Sequence, residues 1–114
     1  SLDFGILDPG TVCGFNGTDN TINITLHENS NDADGIYIKG DDLYNGSNII
    51  GISNVTWCQC TLCSLGTRVT KNYTLIQANV VAGTTIETHY WIDIPPVPFG
   101  TYYGTLYIMA NASI

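Results

Sequence analysis

Apolar and polar positions alternate in short runs along this chain, and no stretch holds apolar residues at i, i+3, i+4 and i+7 for the length of a helix. A period of two predicts strands. The first run puts Leu2, Phe4 and Ile6 on one side and ends in the turn residues Asp8-Pro9-Gly10. Residues 21–26 set Ile22, Ile24 and Leu26 inward and Asn23 outward. A polar loop at 29–35 precedes a short strand at 36–39, and Gly40-Asp41-Asp42 and Asn45-Gly46-Ser47 read as successive turns. Residues 48–57 aim Ile50, Ile52, Val55 and Trp57 at a core, with a change of phase near Ser53 that suits a bulge. Residues 68–81 read as one long strand or two. Residues 85–94 alternate Ile86, Thr88, Tyr90, Ile92 and Ile94 against Glu87, His89, Trp91 and Asp93, until Pro95-Pro96-Val97-Pro98 stops the run. The last run, 101–110, is apolar on both sides, with Tyr103, Tyr107 and Met109 opposite Tyr102, Leu106 and Ile108. Such a strand is expected to be central and buried mid-sheet. About seven strands with frequent turns predict an all-β fold, an Ig-like antiparallel β-sandwich forming a single domain over residues 1–114.

Composition changes the picture of the surface. Apolar residues make up 44% of the 114 and charged ones 11%, against roughly 25% charged in ordinary soluble domains. With 11 Asn and 14 Thr, the exterior is polar but nearly uncharged. Asn-x-Ser/Thr occurs at Asn16, Asn23, Asn45, Asn54, Asn72 and Asn111. Chance placement of the 20 Ser and Thr behind 11 Asn would give about two such triplets. N-linked glycans are therefore expected at these six positions, where they would supply the solvation that charge does not. The net charge of −7, with only Lys39, Arg68 and Lys71 basic, speaks against nucleic acid and anionic membranes as partners. No run approaches the length of a membrane helix. The expectation is a secreted, cell-surface protein whose signal peptide was cleaved before Ser1.

Four cysteines, Cys13, Cys58, Cys60 and Cys63, point to disulfides in an oxidising compartment. Joining Cys58 to Cys60 across one residue is expected to strain the bridge, so Cys13 is expected to pair with Cys58 or Cys60, leaving a tight second bridge to Cys63. Cys13 would then staple the N-terminal segment to mid-chain. The rival is a Cys₄ zinc or iron–sulfur site, although the usual pair of separated Cys-x-x-Cys knuckles is missing.

Catalytic chemistry finds little support. Glu87 and His89 share a strand face and could form an acid–base dyad, whereas His27 and Glu28 point to opposite faces. No nucleophile elbow, zinc-protease motif or glycine-rich phosphate loop is present, and the reading is that of a non-enzyme with no cofactor. Asp32, Asp34, Gly35, Asp41 and Asp42 crowd one loop region and could hold calcium, but Ser30 stands where an EF-hand needs its first Asp and no Glu closes the loop. Tyr90, Trp91, Tyr102, Tyr103 and Tyr107 could stack sugars in a lectin-like groove, or serve as core and subunit contacts.

Three stretches carry a resemblance: Phe4-Gly5-Ile6-Leu7-Asp8-Pro9-Gly10-Thr11, Asp42-Leu43-Tyr44-Asn45-Gly46-Ser47, and Tyr90-Trp91-Ile92-Asp93-Ile94-Pro95 leading into Phe99-Gly100-Thr101-Tyr102-Tyr103-Gly104-Thr105-Leu106. They resemble secreted archaeal Ig-like surface domains, some of which are similar to subunits of archaeal surface filaments or pili and of TasA-like biofilm fibres. The resemblance implies a structural subunit of an extracellular filament that polymerises with identical copies by donor-strand complementation. Leu2, Phe4 and Ile6, within residues 1–8, are the candidate donor contacts, and the C-terminal strand is the fallback. The cysteine cluster departs from that pattern. The alternative function is a monomeric adhesin or carbohydrate-binding surface domain.

Overall fold

In the computed structural model, residues 2–112 are described, Ala112 by its backbone alone. Ser1 of the candidate donor run and Ser113 of the Asn111 triplet lie outside the described residues. The clean alternation of residues 85–92 becomes β8, Thr85–Ile92, with Ile86, Thr88, Tyr90 and Ile92 buried and Glu87 exposed. Around it the described chain forms β1 (Thr21–Thr25), β2 (Ala33–Gly40), β3 (Leu43–Asn45), β4 (Asn48–Ile50), β5 (Val55–Cys58), β6 (Thr67–Arg68), β7 (Thr74–Val80) and β9 (Leu106–Ala112). These strands build an antiparallel sheet of order β1-β8-β5-β6, a second of order β7-β2-β9, and the hairpin β3-β4. The all-β class and antiparallel pairing are as the alternation predicts. The strand count is not: nine strands in three sheets are described, rather than about seven in two. Runs interrupted by Gly40-Asp41-Asp42 and Gly46-Ser47 still pair as separate short strands, with Gly46 at φ +61 closing the hairpin turn.

The two larger sheets face each other across the core. Ile38 of β2, Trp57 of β5, and Tyr90 and Ile92 of β8 meet Ile50, Ile52, Val55 and Val69 in the main cluster. Ala33, Ile36, Val80 and Ile86 form a second cluster towards the other end of the strands. At the phase change near Ser53 the chain makes a 3-10 turn, Ile52–Asn54, in place of a bulge, and this turn lets Ile50, Ile52 and Val55 all point inward.

Two expectations are corrected. The last strand is not central: β9 pairs only with β2 among the described strands and forms a sheet edge. Its inner side contributes Leu106 to the core, while Tyr107 and Ile108 remain 39% and 37% exposed. Apolarity on both faces does not encode how many neighbours a strand has. The first run is not a strand of a sheet: it touches the rest of its chain through isolated bridges at Asp3–Asp19 and Gly5–Asn16. Gly5, at φ +80, breaks the period of two, so Leu2, Phe4 and Leu7 turn towards the core and Ile6 stays 90% exposed.

The cysteine pairing is also corrected. Cys13 bonds Cys63, with Cα atoms 6.0 Å apart, and Cys58 bonds Cys60, with Cα atoms 4.9 Å apart. Gln59 lies in a bend directly after β5, which brings the two flanking Cα atoms inside ordinary disulfide range. Both bridges together use all four sulfurs and leave no thiolate for a metal. The staple from the N-terminal segment to mid-chain is present, through Cys63.

Candidate functional site

The feature with the most chemistry to offer is a groove rather than a residue cluster. Residues 2–9 form one wall and 97–106 the other, and the floor is the core itself: Ile22, Leu43, Ile50, Ile52, Val55, Ile92 and Ile94. Its volume is about 1070 Å³. It opens because the strands on either side, β1 and β9, are the edges of different sheets, and no ladder joins them. Among the described residues, 2–8 close it on one side. Their backbone is held at Asp3 N–H to Asp19 O (2.7 Å) and Asn16 N–H to Phe4 O (2.8 Å). A Cβ at Gly5 would overlap the Asn16 carbonyl, so this crossing requires glycine. At the mouth stand Ile6, Phe99 and Tyr103, which are 90%, 86% and 74% exposed. Tyr103 is fixed there by its paired backbone bonds with Tyr44, at 2.8 and 3.0 Å.

Two carboxylates lock the surroundings. Asp42 Oδ1 accepts from the Ile52 N–H at 2.9 Å and its Oδ2 meets Lys71 Nζ at 3.0 Å. The Ile52 N–H foremost, with Lys71, holds the Asp42 carboxyl below its ordinary range. Asp93 accepts from the Cys13 N–H at 2.8 Å and from Arg68 at 2.6 Å, and Arg68 also donates to the Ser53 carbonyl. Burial pushes Asp93 up, but the Cys13 N–H and Arg68 outweigh it and the net shift is downward. For both groups the folded value lies below the unfolded one, near 3.9. Their stabilisation is thus complete above about pH 4 and lost as pH falls through the folded values. Thermal unfolding from about pH 6 down to pH 2 is expected to show Tm falling in the acid range, and Asp93→Asn with Asp42→Asn is expected to flatten that fall. An unchanged slope in the double variant would refute the assignment.

All three basic residues are engaged within the chain. Arg68 and Lys71 serve these carboxylates, and Lys39 Nζ lies over the rings of Tyr73 and Tyr107 at 4.8 and 5.1 Å.

The other candidate residues fall at separate places. Asn16, Asn23, Asn72 and Asn111 are exposed, while Asn45 and Asn54 are half-buried. Asn45 lies against Gly100, and Asn54 Nδ2 donates to the Gly51 carbonyl at 3.1 Å. Sequence alone does not reveal that Thr56, the third residue of the Asn54 triplet, is buried. Glu87 and His89 do meet, at 2.7 Å, and Thr21 Oγ1 lies 3.2 Å from the second ring nitrogen of His89. That chain of groups sits on the open face of the β1-β8 pair, outside the groove. Asp32 and Asp34 lie at the start of β2, and Asp41 and Asp42 beyond its far end. Eight residues of strand hold the two pairs about 25 Å apart, so the acidic residues are not one cluster, and no metal-binding group of three is found among the described residues.

The aromatic residues do not assemble into one groove either. Tyr90 is wholly buried, Trp91 stacks beside His89 on one sheet, Tyr102 donates to the Pro98 carbonyl, and Tyr107 lies on the other sheet. No helix among the described residues is long and apolar enough to cross a membrane. Comparison with known protein families, curated proteins and solved structures gives no match to this chain.

Proposed function

We propose that this chain is a structural, N-glycosylated subunit of an extracellular filament, of the secreted archaeal Ig-like kind, in which each copy lends a strand to the next. The observation that carries the reading is the groove: an apolar floor of core side chains, walled on one side by the chain's own residues 2–8, which join no continuous ladder among the described residues. A segment held by isolated bridges is exchangeable for the same segment of a second copy. In that copy it could lie as an extended strand, pair with an exposed edge, and seat alternate apolar side chains. Leu2, Phe4 and Ile6 would be those side chains: Leu2 and Phe4 exchange one core for another, and Ile6 gains roughly 1.5–3 kcal/mol on full burial. Exposed Ile6, idle within its own subunit, would then have a site. A head-to-tail contact of this kind need not close, so it propagates into a polymer.

The C-terminal strand fits the donor role less well. All seven residues of β9 pair with β2 or continue its ladder, and removing β9 would leave its sheet with two strands. Glycans at the exposed Asn triplets would keep the weakly charged exterior in water. At Asn54 attachment would have to precede folding, because Thr56 is then still accessible.

Electron microscopy tests the reading. Native material is expected to form filaments, and a chain lacking residues 1–7 is expected to remain as single particles. Filaments that persist after the deletion would reject N-terminal donation, and discrete monomers in the native preparation would reject the filament altogether in favour of a monomeric adhesin.

A further inference from the structure

Among the described residues, the outer face of the β7-β2-β9 sheet carries side chains that cores use and leaves several of them exposed. Tyr37, Lys39, Tyr107 and Met109 face outward in register, since Tyr37 pairs with Met109 and Lys39 with Tyr107. Across β2, Leu75 pairs with Tyr37, and Tyr73 stands beside Lys39. Tyr73, Leu75 and Tyr107 are 40%, 46% and 39% exposed. The rings are held in place: Lys39 Nζ sits between Tyr73 and Tyr107, and the Tyr107 hydroxyl donates to Asp41 Oδ2 at 2.8 Å. Tyrosines fixed in this way offer an apolar ring and a wet hydroxyl at little further entropic cost.

Two Asn triplets lie close to this face in the chain, one in the bend that leads into β7 and one on β9. Asn72 immediately precedes Tyr73. Asn111 lies on the outward side of β9 at its other end, opposite Gly35 and in phase with Met109 and Tyr107. The backbone under Asn72 is pinned: the Thr70 hydroxyl donates to the Asn72 carbonyl at 2.8 Å and accepts from its N–H at 3.3 Å. Only the exposed side chain is left to reach outward.

We propose that this face is a carbohydrate-stacking platform whose occupant is the chain's own N-linked glycan at Asn72, with a pyranose ring laid against Tyr73. The inference rests on the glycosylation reading above. A pyranose presents a C–H face that matches an aromatic or aliphatic surface and a rim of hydroxyls that matches water and the Tyr hydroxyls. A free saccharide would pay the full translational cost of association, but a sugar attached one residue from the ring is already at high effective concentration. The same contact removes from water an apolar patch that a weakly charged chain has little means of solvating. The glycan thus acts as a covering layer for a sheet face, beyond its part in solubility.

Tyr73→Ala tests this, because it retains Asn72 and Thr74 and so leaves the attachment triplet intact. Wild type, Tyr73→Ala, Asn72→Gln and the double variant would be produced in a glycosylating host, and glycopeptide mass would report occupancy of Asn72. With the sugar present, its pyranose C–H proton resonances are expected to lie upfield in wild type, from the ring current of Tyr73, and to return to the positions of the released glycopeptide in Tyr73→Ala. Loss of the glycan through Asn72→Gln is expected to lower Tm by about 4 °C in wild type and to leave Tm unchanged in the Tyr73→Ala background. An unmodified Asn72 would sink both the glycosylation reading at this residue and the platform. An occupied Asn72 with no ring-current shift, or a wild-type dimer in sedimentation that Tyr73→Ala dissolves, would sink the platform alone.

Discussion

Replacing both Cys13 and Cys63 by Ser is expected to cost about 4 kcal/mol of stability, and Tm is expected to fall by about 15 °C or more. The bridge spans 50 residues of sequence, so its removal returns to the unfolded chain the freedom of a large loop. The bridge between Cys58 and Cys60, at a separation of two, closes almost no loop, and its double Ser variant is expected to lose less than about 2 kcal/mol. Both cysteines of a bridge must be replaced together, since a lone thiol could exchange into the other disulfide. Guanidinium unfolding of the two double variants checks the pair of values, and equal losses would contradict the loop-entropy account.

The consequence for assembly is separate from stability. Cys13 is anchored three ways: to Cys63 by the disulfide, to Asp93 through its N–H, and to β8 through the Gly14–Ile92 bridge that follows it. The Gly10 N–H also donates to the Ile94 carbonyl at 2.7 Å and the Ile94 N–H to the Thr11 carbonyl at 2.8 Å, so the exchangeable segment lies before Gly10. In the filament reading, this anchored stretch from Gly10 to Gly14 fixes one end of the donor segment, and residues 2–8 leave the groove.

The second large effect is expected at Tyr90, which is fully buried where β8 crosses the main core cluster. Tyr90→Ala is expected to cost about 3–5 kcal/mol, from lost burial and the cavity left behind. Tyr90→Phe keeps the ring and removes only the hydroxyl, which shares a 2.9 Å hydrogen bond with Thr88; the Thr88 hydroxyl also donates to the Ile22 carbonyl at 2.9 Å. Its cost is expected to be about 1 kcal/mol. Burial pushes the Tyr90 phenol above its ordinary value, although the Thr88 bond works against the shift. The folded state then retains a proton that the unfolded state gives up near pH 10, so this contribution to stability is lost as pH rises beyond that point. Denaturant titrations at neutral pH and in alkali separate the two effects. Tyr90→Phe should be less sensitive to alkali than wild type, and an identical alkaline slope would remove Tyr90 as its origin.

The strands with one buried face were legible in the chain itself. In residues 21–26 and 85–92 the sides alternate, one mostly apolar apart from Thr88 and the other mostly polar apart from Trp91, and a slip of one residue would expose the apolar set. Local order alone therefore fixes which side goes in, and Ile22, Ile24, Ile86, Tyr90 and Ile92 are placed as their pattern requires. The inward set Ile50, Ile52, Val55 and Trp57 was equally legible, although the change of phase near Ser53 is taken up by a 3-10 turn and not by the expected bulge.

Three matters were settled only in three dimensions. Pairing of Cys58 with Cys60 depends on the bend after β5, a backbone path that spacing along the chain does not contain. The edge position of β9 depends on which strands return beside it, and an apolar pattern on both faces describes side chains, not neighbours. The groove and the tyrosine face have the same origin. Each joins residues far apart in sequence, Leu2 with Leu106 and Tyr73 with Tyr107, whose meeting is decided by long-range strand pairing. The sequence by itself determined the all-β class, the inward faces of residues 21–26, 48–57 and 85–92, the Asn triplets and the scarcity of charge, because these are properties of neighbouring residues. The tertiary structure decided the disulfide partners, the sheet edges and the open groove, because those depend on contacts that close only when distant segments come together.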